Sequence, residues 1–204
     1  MTKKVVLANT KGGVGKSTMA ALLVEWLNHE KISVEIFDGD PNQSLQMWAS
    51  YCQEEGRPVL SPKNDAQITV VDTAGAAGSA ITWMQKADVI ICPFKPNFAD
   101  LDVTLSWFRS LNFELQKKFL FVPNMLGVAS EQKRGIEDVR KATNEVHAGS
   151  LLEGEFLKNR DAIYPDFLKG NPKNFFSMGS RFDPAKKEAA AVAKNIFAKA
   201  GVLS

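Results

Sequence analysis

Five runs of apolar residues alternate with amphipathic stretches along the first 124 residues of the chain. The runs are rich in β-branched and aromatic residues and contain few polar ones, which is typical of strands buried on both faces of a sheet. They read KVVLAN, VEIFD, ITVVD, DVIICP and KFLFVPN. Between the runs, apolar residues recur at helical spacing, as at Ala20, Leu23, Val24 and Leu27. This alternation predicts an α/β fold: a mostly parallel twisted sheet with helices on both faces.

The last predicted helix has clear ends. Asp183 is placed to cap it, Pro184 suits its first position, and Gly201 suits the turn that ends it. Its apolar stripe is rich in alanine, which favours docking on the domain, with a helix lying on a membrane surface as the alternative. The stripe consists of Ala185, Ala189, Val192, Ala193, Ile196, Phe197 and Ala200.

Length and composition limit the fold. With 204 residues and 45% hydrophobic content, the chain can bury one core, and we expect one domain over residues 1–204. Cys52 and Cys92 lack the spacing of a metal-binding pair, which favours free thiols in a reducing compartment. No run approaches the roughly 18 apolar residues of a membrane span, and no signal peptide is recognisable. We therefore expect a cytoplasmic protein without stable membrane association.

Charge is distributed unevenly along the chain. The formal net charge of +2 divides into −3 up to Asp102 and +5 beyond it. A basic C-terminal half suits a polyanionic partner, although scattered solvated lysines are the more ordinary explanation of such an excess.

The first predicted strand leads into a glycine-rich turn, TKGGVG, and then into a helix that begins KST. This order is the setting of a phosphate-binding loop, in which glycines let backbone N–H groups and a helix N-terminus face phosphate oxygens. In this interpretation Lys16 binds the β and γ phosphates, Ser17 binds Mg²⁺, and Thr18 reaches the α-phosphate. The predicted nucleotide-binding residues of the loop are Gly12, Gly13, Val14, Gly15, Lys16, Ser17 and Thr18.

A second lysine, Lys11, departs from the ordinary G-x-x-x-x-G-K-[ST] pattern, in which Thr10 would be glycine. The string KGGVGKST resembles the deviant Walker A motif of the ParA/MinD superfamily. The resemblance implies ATP and Mg²⁺ as cofactors, slow ATP hydrolysis, and an ATP-bound homodimer in which Lys11 touches the partner subunit's nucleotide. A cation that arrives beside the γ-phosphate only in the dimer would neutralise charge that develops during transfer. Lys11 and Lys16 are therefore both predicted to be catalytic.

Acidic residues end the next two strands. The segment DGDPNQS resembles the family's D-x-D-P-Q segment, which implies that Asp40 positions Mg²⁺-associated or attacking water. Asp72, in VVDTAG, is placed like a Walker B carboxylate that holds the Mg²⁺ hydration shell. With Ser17, these two acids are the predicted metal-binding residues. Asp38 is open between a functional role and a turn or cap.

The resemblance extends beyond these motifs. PFKPNFADLD, residues 93–102, looks like the proline-bearing loop that lines the nucleotide and the dimer face in short plasmid ParA proteins. Asn124 stands where relatives place a side chain that reads adenine, although asparagine is also a common loop residue. The segment FLKNRDAIYPDFLKGNPKNFF resembles another family segment at Arg160 and Gly170.

The phosphate-loop strand begins at Lys3, so we expect no preceding helix-turn-helix domain and no sequence-specific repression. Small ParA proteins bind DNA non-specifically as ATP dimers, and a ParB-like partner stimulates hydrolysis. The resemblance implies the same cycle here, with nucleoid association in the ATP state and movement of a plasmid or chromosome. Candidate DNA-contacting residues, a subset of which would form the patch, are Lys158, Arg160, Lys169, Lys173, Arg181, Lys186, Lys187 and Lys194.

Three other classes share the loop motif. A MinD-like or cargo-positioning ATPase would act on a membrane or a protein scaffold, and the C-terminal helix would distinguish it. A metabolic kinase or ligase has no need of a trans-acting lysine, so Lys11 disfavours it. A nitrogenase-reductase-like carrier needs a cysteine pair that Cys52 and Cys92 do not match.

Overall fold

A parallel sheet forms the centre of the protein. The computed structural model describes residues 2–62, 65–75, 77–127, 130–154, 156–160 and 162–201. Within these ranges six strands pair in the order β2-β3-β1-β4-β5-β6, and a seventh, β7, also pairs with β5. The strands are β1 Lys3–Leu7, β2 Val34–Asp38, β3 Ile68–Asp72, β4 Val89–Phe94, β5 Phe119–Leu126, β6 Ser150–Leu151 and β7 Leu157–Lys158.

Helices connect the strands and cover the sheet. They are α1 Lys16–His29, α2 Ser44–Glu54, α3 Ala77–Lys86, α4 Phe98–Ser110, α5 Phe113–Gln116, α6 Ser130–Glu145, α7 Tyr164–Phe167 and α8 Asp183–Lys199. The five apolar runs form β1 to β5, and their pairings are parallel, as predicted. The pattern did not predict β6 and β7, because a two-residue strand is too short to show a periodicity.

Successive residues of each buried strand point to opposite faces, and each face builds its own core. Val5 and Leu7 pack among residues of α1, α2 and α8. Val6 and Ala8 pack among residues of α3, α4 and α6. Because both faces are covered, the central strands are apolar throughout, which explains the lack of polar alternation in the sequence.

The C-terminal helix docks on α1, as its apolar stripe predicts. The rings of Phe197 and Trp26 stack with centroids 5.3 Å apart, and Gly201 follows the helix at φ +61°. The cap prediction is wrong by one residue. A short 3₁₀ turn, Ser180–Phe182, runs directly into α8, so Asp183 already has helical backbone angles and Phe182 is the N-cap. Within the described ranges, no helix combines the length and apolar character needed to cross a bilayer.

A buried ion pair ties α1 to the chain beyond α2. Glu25, on α1, is fully buried, and its oxygens accept hydrogen bonds from the Arg57 guanidinium at 2.7 and 3.2 Å. Arg57 Nε donates to the Asn171 carbonyl at 2.9 Å, and the Asn174 amide donates to the Glu25 carbonyl at 2.9 Å. Burial raises the pKa of Glu25, and the positive charge of Arg57 opposes that rise. The pair therefore joins α1 to residues 171–174.

We expect Arg57→Ala to lower the free energy of unfolding by about 3–5 kcal/mol, because it leaves the Glu25 carboxylate buried without its counter-charge. Urea denaturation at neutral pH measures the change. Arg109→Ala is the control, since Arg109 pairs with Glu145 on the surface at 3.2 Å and should cost less than about 1 kcal/mol. Similar losses in both variants would contradict the expectation.

Candidate nucleotide-binding site

The turn between β1 and α1 has a backbone conformation that needs glycine. Gly13 and Gly15 have φ of +70° and +90°, in the left-handed region that side chains disfavour. A Cβ at Gly15 would also lie 2.3 Å from the Asn124 amide nitrogen. The Gly15 carbonyl accepts the first helical hydrogen bond, from the Met19 amide at 2.9 Å. The loop therefore ends at the N-terminus of α1, where free backbone N–H groups favour an anion.

A cleft of about 310 Å³ opens over this loop at the carboxyl edge of the sheet. It brings together six of the predicted phosphate-loop residues and the predicted catalytic Asp40. Lys16 is 8% exposed, so its ammonium lies in a largely desolvated position that strengthens attraction to phosphate. The lining residues are Gly12, Gly13, Gly15, Lys16, Ser17, Thr18, Asp40, Asn42, Ser44, Gly75 and Leu168.

Asp72 lies beneath the cleft at the end of β3. It is fully buried, and within the described residues neither carboxylate oxygen has a hydrogen-bond partner. Burial raises the pKa of Asp72 to about 6; Asp38 and Asp40 add to the rise, and Ser17 and Lys16 oppose it. The Ser17 hydroxyl approaches this carboxylate without meeting full hydrogen-bond geometry. A buried, unpartnered carboxylate is a costly arrangement that a cation would stabilise.

The residues of the site fit Mg²⁺. No group of three or more His, Cys, Asp or Glu side chains forms a metal cage in the part of the chain that the structure describes. Mg²⁺ usually keeps several waters and is held by one or two carboxylates with the substrate's phosphates. Ser17 and Asp72 are a donor set of this kind, and Asp40 also lines the cleft.

The two acids after β2 have different surroundings. Asp38 accepts hydrogen bonds from the backbone N–H groups of Leu45 and Gln46 at 2.9 and 3.0 Å, and from that of Asp40 at 3.0 Å. Since Gln43 supplies no side-chain cap to α2, the Asp38 carboxylate takes that role. Asp40 lines the cleft instead. The structure therefore shows the capping role of Asp38, which is one of the two alternatives that the sequence leaves open.

The second lysine of the loop is directed elsewhere. Lys11 does not line the cleft in the described part of the chain, and its Nζ forms an ion pair with Asp100 Oδ1 on α4 at 2.9 Å. Its backbone N–H donates to Asn9 Oδ1 at 2.9 Å. The two lysines thus face different surroundings, Lys16 its own nucleotide site and Lys11 the helix beside it.

Asn124 braces the loop. It is 4% exposed, and its amide donates to the Val14 carbonyl at 2.7 Å. Val14 is buried behind the cleft, so its predicted contribution is limited to its backbone. The adenine-reading role of Asn124 stays a prediction, whereas its contact with the loop is a feature of this structure.

Several residues around the site had no individual role in the sequence prediction, although Asp100 lies within residues 93–102, the segment that the resemblance places beside the nucleotide and the dimer face. Asn9 links the loop to β4 through the Pro93 carbonyl at 2.9 Å, and Asp100 holds Lys11. Leu168 brings the segment after β7 to the cleft. Asn97 and Asp100 carried a signal, because an Asn followed three residues later by an acid is a helix N-terminus pattern. Leu168 carried none.

Several of the eight predicted DNA-contacting cations already have acidic partners. Lys158 and Arg160 share Glu188, at 3.4 and 2.6 Å. Lys186 pairs with Asp183 at 2.6 Å, and Lys169 pairs with Asp166 at 2.8 Å. The partly buried pair of Arg160 joins the end of β7 to α8, which favours a structural role for that residue. Of the eight predicted cations, those that are exposed and have no ion pair among the described residues are Lys173, Arg181, Lys187 and Lys194.

A second groove, of about 370 Å³, lies beside the cleft and collects part of this charge. Lys169, Lys173 and Arg181 line it, and the buried ring of Phe167 contributes to its wall. The Arg181 guanidinium lies 4.5 Å from the centre of the Phe182 ring. One acid, Asp166, is among the lining residues, so the groove carries a positive excess.

A strand, a glycine-rich loop, a helix that begins with lysine, and an acid at the end of a neighbouring strand together define a P-loop nucleotide-binding protein. Residues 5–170 match the family described as the CobQ/CobB/MinD/ParA nucleotide binding domain. The chain belongs to this family, which confirms the resemblance found in the loop.

Known relatives agree with this assignment. Protein ParA of Rhizobium radiobacter is 32% identical over 114 residues, which cover 48% of this chain and 51% of that protein. The chain thus spans about half the length of the curated relative it matches. MinD of Pyrococcus horikoshii, complexed with Mg-ADP, superposes with a TM-score of 0.68 at 17% identity, covering 99% of this chain and 98% of that one. The structure of pNOB8 ParA bound to nonspecific DNA superposes with a TM-score of 0.64 at 10% identity, covering 97% of this chain and 98% of that one. These two structures confirm the fold.

The Mg²⁺-dependent part of ATP affinity should fall about tenfold for each pH unit below about 6, because protonated Asp72 has no charge to hold the Mg²⁺ shell. Because the pKa of Asp72 is raised to about 6, the Mg²⁺-dependent affinity for ATP is highest above this pH and is lost as the pH falls below it. Titration calorimetry with and without Mg²⁺ measures this. Asp72→Asn is the reference, since the nucleotide's own phosphate titrates nearby. The same pH dependence in the variant would contradict the role of Asp72.

Asn124→Ala should weaken ATP and GTP binding by a similar factor, on the order of tenfold, because it leaves the Val14 carbonyl unpaired and loosens the loop. Fluorescent-nucleotide displacement measures both affinities. A loss confined to ATP would instead support the adenine-reading role. Asn112→Ala, which removes the cap of α5 near the amino edge of the sheet, controls for general destabilisation.

Proposed function

We propose that residues 1–204 form one ATPase domain of the ParA type, which works as an ATP-dependent dimerisation switch with slow Mg²⁺-dependent hydrolysis. The observation that carries the proposal is the separation of the two loop lysines. Lys16 lines the cleft with Ser17. The Lys11 side chain is 38% exposed and is held outside the cleft by its ion pair with Asp100. A cation in that place is available to a second subunit but not to its own cleft.

The residues of the cleft divide the work of binding. Backbone N–H groups of Gly13 and Gly15 and the Lys16 ammonium hold the phosphates. Ser17 and Asp72 hold Mg²⁺, and Thr18 supports the α-phosphate. Asp40, which lines the cleft, orients water. When bound, ATP with Mg²⁺ supplies a γ-phosphoryl group whose charge is already partly neutralised.

Lys11 makes hydrolysis depend on pairing. In a symmetric dimer each subunit would direct its Lys11 at the other's γ-phosphate, so two copies complete two sites. A positioned cation that stabilises developing charge only in the dimer separates a resting monomer from a dimer that turns over slowly.

The ATP-bound dimer binds DNA without sequence preference through phosphate contacts. The +5 charge of the chain beyond Asp102 and the cationic groove of Lys169, Lys173 and Arg181 support this. Lys187 and Lys194 extend the exposed charge along α8. A structural neighbour, pNOB8 ParA, is bound to nonspecific DNA. We assign the remaining predicted cations, Lys158, Arg160 and Lys186, first to their acidic partners.

The cellular cycle follows from the resemblance to Protein ParA. A ParB-like centromere-binding partner stimulates hydrolysis and releases the dimer from DNA, which moves a plasmid or chromosome. The protein is then cytoplasmic and nucleoid-associated in its ATP state. A MinD-like role on a membrane has less support, because the apolar stripe of α8 is mostly buried against the domain.

The decisive experiment is binding of a random-sequence duplex without nucleotide, with ADP, and with a non-hydrolysable ATP analogue, at low and moderate salt. We expect binding that needs the ATP analogue, weakens with salt, and is reduced by Lys11→Ala. Equal binding of the nucleotide-free protein would refute the switch. Binding in no state would redirect the search to anionic vesicles and protein scaffolds.

The same DNA-binding assay can test whether the cationic groove contacts DNA. Lys173→Ala with Arg181→Ala should reduce the slope of log affinity against log salt by about two per subunit, and so by about four for the dimer, because each subunit loses two phosphate contacts. Lys117→Ala with Lys118→Ala removes the same charge near the amino edge of the sheet and should leave the slope near that of the wild type. An equal effect of both pairs would show that net charge, not the groove, attracts DNA.

A further inference from the structure

The ion pair of Lys11 belongs to a small polar network between the phosphate loop and α4. Asp100 Oδ1 holds the Lys11 ammonium at 2.9 Å, and Asp100 Oδ2 accepts from the Asn97 amide at 3.1 Å. Asn9 Oδ1 accepts the Lys11 backbone N–H at 2.9 Å and lies 3.2 Å from Thr104 Oγ1, whose hydroxyl also lies 2.9 Å from the Asp100 carbonyl. Both the backbone and the head group of Lys11 are therefore fixed by groups on or beside α4.

The Asp100 side chain is 18% exposed, so this pair is more shielded from water than an ordinary surface pair. The lysine is the largest influence that lowers the pKa of Asp100, and Lys95 adds a weaker attraction. The carboxylate thus remains charged at neutral pH. Its negative charge lies where Lys11 would otherwise present an unopposed cation to the phosphates of a second subunit.

We propose that Asp100 is a positioning residue that holds Lys11 within its own subunit, and that dimerisation exchanges this carboxylate for the partner's nucleotide phosphate. The inference rests on the proposed trans role of Lys11. Dimerisation breaks the Lys11–Asp100 ion pair. The contact of Lys11 with the partner's nucleotide phosphate must therefore be more favourable in free energy than this ion pair. ADP lacks the γ-phosphate charge and attracts the Lys11 ammonium less strongly, so the ADP-bound protein remains monomeric.

Asp100 also has a local role in α4. Its backbone N–H donates to the Asn97 side chain at 3.0 Å, and its carboxylate lies in the first turn of the helix, where negative charge is favourable. Asp100→Asn therefore removes both the hold on Lys11 and part of the helix-end stabilisation. A test must separate these two effects.

The test is sedimentation velocity with a non-hydrolysable ATP analogue on wild type, Asp100→Asn, Lys11→Ala and the double variant. Asp100→Asn should tighten the dimer on the order of tenfold, because a symmetric dimer exchanges two such pairs. In the Lys11→Ala background the same substitution should change nothing. Asp102→Asn, an exposed acid of the same helix, should match the wild type. Melting temperatures of all five proteins check that each is folded.

The outcomes are distinct. Tightening that disappears without Lys11 supports the inference, whereas tightening or weakening that persists without Lys11 assigns Asp100 to the helix end and overturns it. If Asp100→Asn leaves the dimer unchanged or weaker while Lys11→Ala disrupts it, the inference fails and the proposed function stands. A wild type that remains monomeric with the ATP analogue refutes the dimerisation switch itself, and the role of Asp100 with it.

Discussion

The left-handed backbone of the loop between β1 and α1 is the constraint on which the site depends. Gly15 adopts φ +90° with the Asn124 amide too close for any Cβ. This turn places the N-terminus of α1 at the cleft. On the other side of the loop, β5 brings Asn124 against Gly15 and Val14. The loop is therefore held from the sheet side by a hydrogen bond to Val14 while its other face stays open to a ligand.

Burial of charge extends from this point through the fold. Lys16, Asp72 and Glu25 are all buried, and of these three only Glu25 forms an ion pair within the described residues. The Glu25 pair serves the fold, because it fastens α1 to residues beyond α2. In the proposed function Asp72 and Lys16 serve the ligand, because bound Mg²⁺ and phosphate would offset the electrostatic cost of burying their charges.

Much of the fold and the centre of the site could be predicted from the sequence. Apolar runs identify β1 to β5, although β2, at the edge of the sheet, is only partly buried, with Phe37 42% exposed. The loop string is specific because Gly13 and Gly15 need left-handed backbone angles and Lys16 lines the cleft. The rest depended on contacts between distant segments. The capping role of Asp38 depends on where α2 begins, because its carboxylate accepts from the first N–H groups of that helix. The pairing of Lys11 with Asp100, and of Arg160 with Glu188, required knowing which elements the sheet brings together.

The segment around α7 separates two surfaces with different chemistry. Leu168 lines the nucleotide cleft, whereas its neighbours Phe167 and Lys169 line the cationic groove. The chain that continues from there is fastened to α1 through Asn171 and Asn174. A ligand bound at one surface changes ligand binding at the other only if this segment has two conformations and the ligand contacts them differently. Since Leu168 supplies the direct contact with the cleft, coupling between nucleotide and polyanion in this fold would act through that residue and the helix turn that carries it.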